Sequence, residues 1–361
     1  MAGEPLGTRA FLALALFKGS VMNRRLFTLA STALATFTFS TLTHAATELR
    51  VMVHSSFALP KPLLAQFEAQ NGIKLAIIKG GDAGEMLNKL ILTRAKPVAD
   101  VVYGIDNTLQ AKALAAGVIE PALPQTAGST DAQLGDALAA VDYGFVTLNY
   151  DKAAVAKTGT PLPKTLSDLT QPAYKGWLVV PNAATSSPGY AFLLATIAGM
   201  GEEKAFAWWA QMRANGIKVV KGWSEAYYTE FSLNKGSHPL VVSYATSPAA
   251  EVFYAKTKLT ESPTASLNLA GGVFRQVEGV ALIKGTANKA AGLKFVDFMR
   301  SGPVQQALQT EMWMYPAVPK TALVPVMRHA VEPPAFESLA PQIIADQGPK
   351  WVARWTQVVL K

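Results

Sequence analysis

Between Val219 and Pro248 one local pattern occurs twice in succession. Val219 and Val220 end a β-branched run, Gly222 supplies a turn, and Trp223 to Leu233 has the spacing of a helix; Leu240 to Tyr244 is then a second strand, and Thr246-Ser247-Pro248 opens a second helix with Pro in its first turn. The same alternation runs through the first third of the chain. Leu49–Val53, Lys74–Ile78 and Asp100–Tyr103 read as strands, with helices predicted over 61–71, over 82–94 and after Asn107. Strands alternating with helices dictate an α/β fold with a parallel sheet and right-handed crossovers, and ligands of such sheets bind outside the carboxyl ends of the strands. Trp223 and Tyr244 sit at two such ends, so they either converge on a cleft or fill the core beside it, and Tyr227 follows Trp223 by one helical turn.

Polar residues recur at the same kind of position. His54 follows the first strand. Asp82 precedes Ala83 and Gly84 at the second helix start, with Glu85 placed to reach back as a capping box. Asp106 and Asn107 follow the third strand, and Thr185-Ser186-Ser187-Pro188 opens the apolar helix that begins near Tyr190. Each is a helix cap taken singly; their shared edge makes them candidate ligand contacts, and the free N–H groups behind Ser186 suit an anion or polar group. Two long runs, Ala140–Tyr150 and Gly271–Ile283, are expected to cross between lobes. After Thr310, Trp313-Met314-Tyr315-Pro316 either packs or closes a pocket, and Trp351 and Trp355, four apart, predict a C-terminal helix.

The first 45 residues belong to another function. Arg24-Arg25, an apolar run from Leu26 to Leu42 and the small residues to Ala45 predict an export signal, with 1–21 as a mispredicted extension ahead of Met22. The destination expected is the periplasm. Residues 1–45 carry four basic residues against Glu4, so the net charge of +8 falls to +5 in the exported part. Its Lys and Arg are scattered, which is no nucleic-acid signature. The absence of cysteine removes thiol catalysis, disulfides and thiolate metal sites. There is no G-x-S-x-G elbow, P-loop or H-E-x-x-H, and His54, His238 and His329 have no metal-triad spacing. These absences point away from an enzyme, although His54, Asp82 and Ser186 would be the residues of a hydrolase if it were one.

Several motifs carry a resemblance. Lys221-Gly-Trp-Ser-Glu-Ala-Tyr227, Ser243-Tyr-Ala-Thr-Ser-Pro248, Thr185-Ser-Ser-Pro-Gly189, Asp142-Tyr-Gly144, Trp313-Met-Tyr-Pro316 and Trp351-x3-Trp355 are similar to the thiamine-binding members of the periplasmic solute-binding proteins that serve ABC importers. The resemblance covers the exported chain. It implies a two-lobed α/β fold of type II, with 46–145 and 275–361 forming one lobe and 146–274 the other. It also implies a non-enzymatic monomer without cofactor, whose partners are a small-molecule ligand and the membrane permease and ATPase subunits. The ligand implied is thiamine, a thiamine phosphate or a similar flat cation. By the same resemblance Trp223 and Tyr244 line the cleft, Trp313 covers the ring system, Asp82 offers a carboxylate, and Ser186 contacts the hydroxyethyl or phosphate end. Ala83, Thr185, Tyr227, Ser247, Asp106 and Asn107 complete the expected contacts. The chain departs from its relatives at His54, where a Tyr is expected, at Ala250, where an aromatic is expected, and at Phe57 and Leu59 in place of a Trp. These departures leave open a thiamine precursor, another nitrogen heterocycle or a polyamine as ligand, and His54 is expected to replace the lost Tyr as a polar wall. A ferric-ion or anion carrier is the alternative within the fold, with Tyr227 and Tyr228 diverging by about 100° on one helix as the obstacle to iron.

Overall fold

A computed structural model describes residues 47–123 and 134–361. The expected export segment lies outside the described residues, among which no helix is long and apolar enough to cross a membrane.

The first half alternates as the sequence predicts: β1 (Thr47–Val53), α1 (Lys61–Asn71), β2 (Ile73–Lys79), α2 (Ala83–Leu92), β3 (Val101–Asp106) and α3 (Gln110–Ala115). β1 pairs in parallel with both β2 and β3, which places the ends of all three strands, and therefore His54, Asp82 and Asp106, along one edge. β4 (Ala139–Asp151), thirteen residues long, then crosses the molecule and delivers the chain to α4 (Lys152–Thr158) and β5 (Leu178–Pro181). The apolar α5 (Ser187–Met200), α6 (Glu202–Ala214) and β6 (Lys218–Val220) follow.

The two repeated units come next. α7 (Trp223–Glu225) is a single helical turn that widens into a π-helical segment over Ala226–Glu230, shorter than the expected helix to Leu233. The wider turn places Tyr227 inward and leaves Tyr228 exposed. β7 (Leu240–Tyr244) and α8 (Ser247–Tyr254) form the second unit, with Pro248 in the first turn as expected. β8 (Thr264–Leu267) leads to β9 (Phe274–Leu282), the return crossing, and α9 (Lys289–Met299), α10 (Gly302–Glu311), β10 (Tyr315–Pro316) and α11 (Pro341–Trp355) complete the chain.

The strands form one sheet in the order β2-β1-β3-β9-β4-β7-β5-β6, with β8 and β10 also paired to β4. Its flanks are parallel, but its centre is not. β9 runs antiparallel to β3 and β4, and β4 antiparallel to β7, so the all-parallel sheet expected from the alternation gives way to a mixed one. The physical reason is that both crossings must traverse the same central position in opposite directions. The cores on either side reflect this: Leu49, Val51, Tyr103, Phe295 and Leu308 pack beneath the first strands, while Phe192, Trp209 and Trp355 pack under α5 and α11. Trp355 meets Trp209 edge-on at 5.7 Å, which explains the i, i+4 tryptophans of the C-terminal helix.

Candidate functional site

The widened turn after β6 sets the site. It stacks the Trp223 ring on Tyr227 at 5.2 Å with 21° between planes, and Tyr227 packs in turn on Phe231. Trp223 cannot swing away, because its indole N–H donates to Ser243 Oγ at 2.8 Å and that oxygen lies 2.8 Å from Ser247 Oγ. Tyr244 approaches Trp223 edge-on at 6.4 Å from the end of β7. Across from them Trp313 holds a left-handed backbone conformation at φ 58° and packs against Phe253 and Tyr254 at 5.3 and 5.6 Å. A β-carbon in this region of φ/ψ space is strained, so packing must hold the ring in place.

These rings enclose a pocket of about 310 Å³ whose wall also includes Thr246, Ser247, Ala250 and Glu251. The volume lies at the lower end of the range for small-molecule sites. Trp223, Tyr227, Tyr244, Ser247 and Trp313 therefore come together around one pocket. Glu251 was not among the expected contacts. It lies four residues beyond Ser247, on the same face of α8, and the helical period is the signal that would have found it. Tyr227 donates its hydroxyl to Glu251 Oε1 at 2.8 Å. Burial raises the Glu251 carboxyl above its usual range, with the Tyr227 hydrogen bond opposing, and burial pushes the Tyr227 hydroxyl well up, so Tyr227 is held as a phenol. The Thr246 hydroxyl and the Trp313 indole N–H are buried and have no hydrogen-bond partner among the described residues.

The other expected residues take different positions. Asp82 caps α2 through Ala83 N–H at 2.7 Å. It also accepts from Ser187 N–H at 3.3 Å and Trp223 N–H at 3.1 Å, so its carboxylate ties the start of α2 to the second half of the sheet. Glu85 N–H donates to the Thr185 carbonyl at 3.1 Å beside it. The backbones approach so closely that a β-carbon on Gly84 would lie 2.8 Å from Thr185 and one on Gly222 2.9 Å from Asp82 Oδ2. The Glu85 carboxylate does not close a capping box; it pairs with Lys221 at 3.0 Å and Lys89 at 3.3 Å. The Thr185 hydroxyl donates to the Lys221 carbonyl at 2.7 Å.

Ser186 borders a separate cavity of about 580 Å³ between α3, α5 and α11, together with Thr108, Lys112 and Tyr190. Its hydroxyl is buried and has no hydrogen-bond partner among the described residues. Asn107 bridges strands, donating to the Arg275 carbonyl and accepting from Val277 N–H, both at 3.0 Å. Asp106 accepts from Thr108 N–H and Oγ1 and from Leu109 N–H. Its second oxygen accepts from the Gln276 amide, whose own oxygen accepts from the Tyr244 hydroxyl at 2.7 Å. Asp106 thus supports the pocket from behind, and burial raises its carboxyl to about 6 against those hydrogen bonds.

His54 packs on Tyr103 at 5.5 Å and lies 3.4 Å from Glu278, while Tyr103 donates to Asp142 and Glu278. Burial alone would lower the His54 pKa, but Glu278 raises it; Asp142, buried beside Glu278, is raised well above the carboxylate range. The imidazole faces this network, its buried Nε2 making no hydrogen bond among the described residues, and it does not border the aromatic pocket.

Known proteins share this fold. A family model described as bacterial extracellular solute-binding protein matches residues 96–336. The thiamine-binding periplasmic protein of Salmonella typhimurium is 32% identical over 86% of this chain and 93% of its own. A solved periplasmic thiamin binding protein superposes with a TM-score of 0.76 at 29% identity, covering 88% of this chain and 98% of its own. A ferric binding protein from Campylobacter jejuni superposes at 0.68 with 18% identity over 86% of this chain and 99% of its own, which shows the shared mixed α/β fold.

Proposed function

The chain belongs to the bacterial extracellular solute-binding protein family, a family of non-enzymatic carriers, and we propose that it captures thiamine in the periplasm for an ABC importer. The observation that carries this reading is the pocket of Trp223, Tyr227, Tyr244 and Trp313 with a carboxylate, Glu251, in its wall. Aromatic faces attract a cation through their quadrupole, by roughly 0.5–2 kcal/mol per ring depending on desolvation, and a flat thiazolium presents charge and stacking surface together. Several rings are needed for tight binding, and six aromatic side chains line the pocket.

In this reading 46–145 with 275–361 forms one lobe and 146–274 the other. They close by hinge motion about β4 and β9, and Asp82 latches the closed form for recognition by the permease. The cleavable leader delivers the chain to the periplasm. Iron is the lesser reading, since Tyr227 is held as a phenol and its ring stands at 81° to Tyr228. Calorimetric titration of the purified protein with thiamine tests the proposal. One-to-one binding in the micromolar range or tighter supports it, and no heat with thiamine or its phosphates refutes it.

A further inference from the structure

The aromatic pocket has a charge pattern that goes beyond attraction of a flat cation. Among the described residues that line it, Glu251 is the ionisable group of low intrinsic pKa, and none is Lys, Arg or His. One Glu251 oxygen is held by the Tyr227 hydroxyl, which fixes the carboxylate in the wall and leaves the second oxygen for a ligand. Behind Tyr244, Gln276 connects the Tyr244 hydroxyl to the Asp106 carboxyl. The phosphate-friendly features stand elsewhere. The start of α5 and the Ser186 hydroxyl face the other cavity, where Lys112 lies.

We propose that Glu251 is the counter-charge of the site and its selectivity filter, favouring an unphosphorylated cationic heterocycle over the phosphate esters of the same molecule. The inference rests on the thiamine reading of this pocket and adds to it a ligand class. A phosphate ester brings about −1.5 to −2 charges at neutral pH, and within a partly desolvated pocket it must either lie against Glu251 or leave the stacking position. Replacing the carboxylate by an amide keeps an acceptor for the Tyr227 hydroxyl while removing the charge, so Glu251→Gln separates charge from shape. Removing a charge-assisted interaction of this kind corresponds to about tenfold to thirtyfold in affinity.

The test is calorimetric titration of wild type, Glu251→Gln and Glu251→Lys with thiamine, thiamine monophosphate and thiamine diphosphate, with thermal unfolding as a check on folding. Wild type is expected to bind thiamine at least about tenfold tighter than either ester, Glu251→Gln to lose most of that preference, and Glu251→Lys to reverse it. Wild type binding the esters as tightly as thiamine overturns the inference, as does a thiamine-to-monophosphate ratio unchanged in folded Glu251→Gln and Glu251→Lys. Both results leave the thiamine carrier standing. Absence of binding to all three by wild type removes the carrier reading and the inference with it.

Discussion

The two rims of the cleft carry similar residues and use them in opposite ways. On the side of β6, β7 and α8, Trp223 and Tyr244 are fixed by hydrogen bonds to Ser243 and Gln276 behind the pocket, and Tyr227 by one to Glu251 in its wall. The Trp223 and Tyr244 rings, the Thr246 hydroxyl and one Glu251 oxygen remain for a ligand, while Tyr227 backs Trp223. On the side of β1, β2 and β3, His54, Asp82, Asp106 and Asn107 direct their polar atoms into the protein. That rim latches and supports. A polar residue at a strand end is therefore a ligand contact only when its hydrogen-bonding capacity is not already consumed, and that depends on partners far away in sequence.

The contrast breaks most visibly at Trp223. Trp223→Ala removes the stacking face and should weaken thiamine binding by about a hundredfold, as for other buried aromatic anchors, while the protein stays folded. A loss under threefold in a fluorescence titration would move the ligand out of this pocket. The latch is next. Asp82→Ala deprives three backbone N–H groups of an acceptor and should lower the closed population, raising the thiamine Kd about tenfold and increasing the radius of gyration in solution scattering. An unchanged radius and Kd would make Asp82 a simple cap.

Smaller effects sharpen the distinction. At Trp313 both Trp313→Ala and Trp313→Gly lose the ring, but only glycine tolerates φ 58° freely; the glycine variant should be more stable than the alanine variant by about 1 kcal/mol in urea unfolding. Equal stabilities would mean that the backbone relaxes. His54→Ala should change thiamine affinity by less than about twofold, since the imidazole lies outside the pocket; a larger change would restore it as a wall of the site.

The His54 network should appear instead in the pH dependence of stability. His54 faces Glu278, Asp82 and Lys79, with Tyr103 and Asp142 beyond, and its folded pKa is raised. Asp106, also buried, is raised to about 6. Both groups bind protons more tightly in the folded state, so their contribution is present at low pH and is lost as pH rises through their folded pKa values. Wild type should lose stability from about pH 4 to pH 6 as Asp106 ionises and again above about pH 6.5 as His54 deprotonates, and His54→Ala should lack the second loss. Identical pH profiles would separate His54 from Glu278.

The strand and helix order was largely legible because each element has its own periodicity and punctuation, as in Leu240–Tyr244 followed by Thr246-Ser247-Pro248. The antiparallel centre was not, since β4 and β9 have the local pattern of any strand and acquire direction only from pairing. Trp223, Tyr244 and Trp313 were recognisable from their motifs. Asp106 and Asn107 were legible as helix-start residues, but nothing local shows that Gln276 and Arg275, about 170 positions away, consume them. Glu251 belongs to no motif, and only the helical phase counted from Ser247 brings it to the pocket wall.

The most direct measurement is a crystal structure of the protein with thiamine. The expected result is one thiamine stacked between Trp223 and Trp313, with the Glu251 carboxylate as the anion nearest the thiazolium. Thiamine in the cavity of Ser186 and Lys112, with the aromatic pocket empty, would contradict the account.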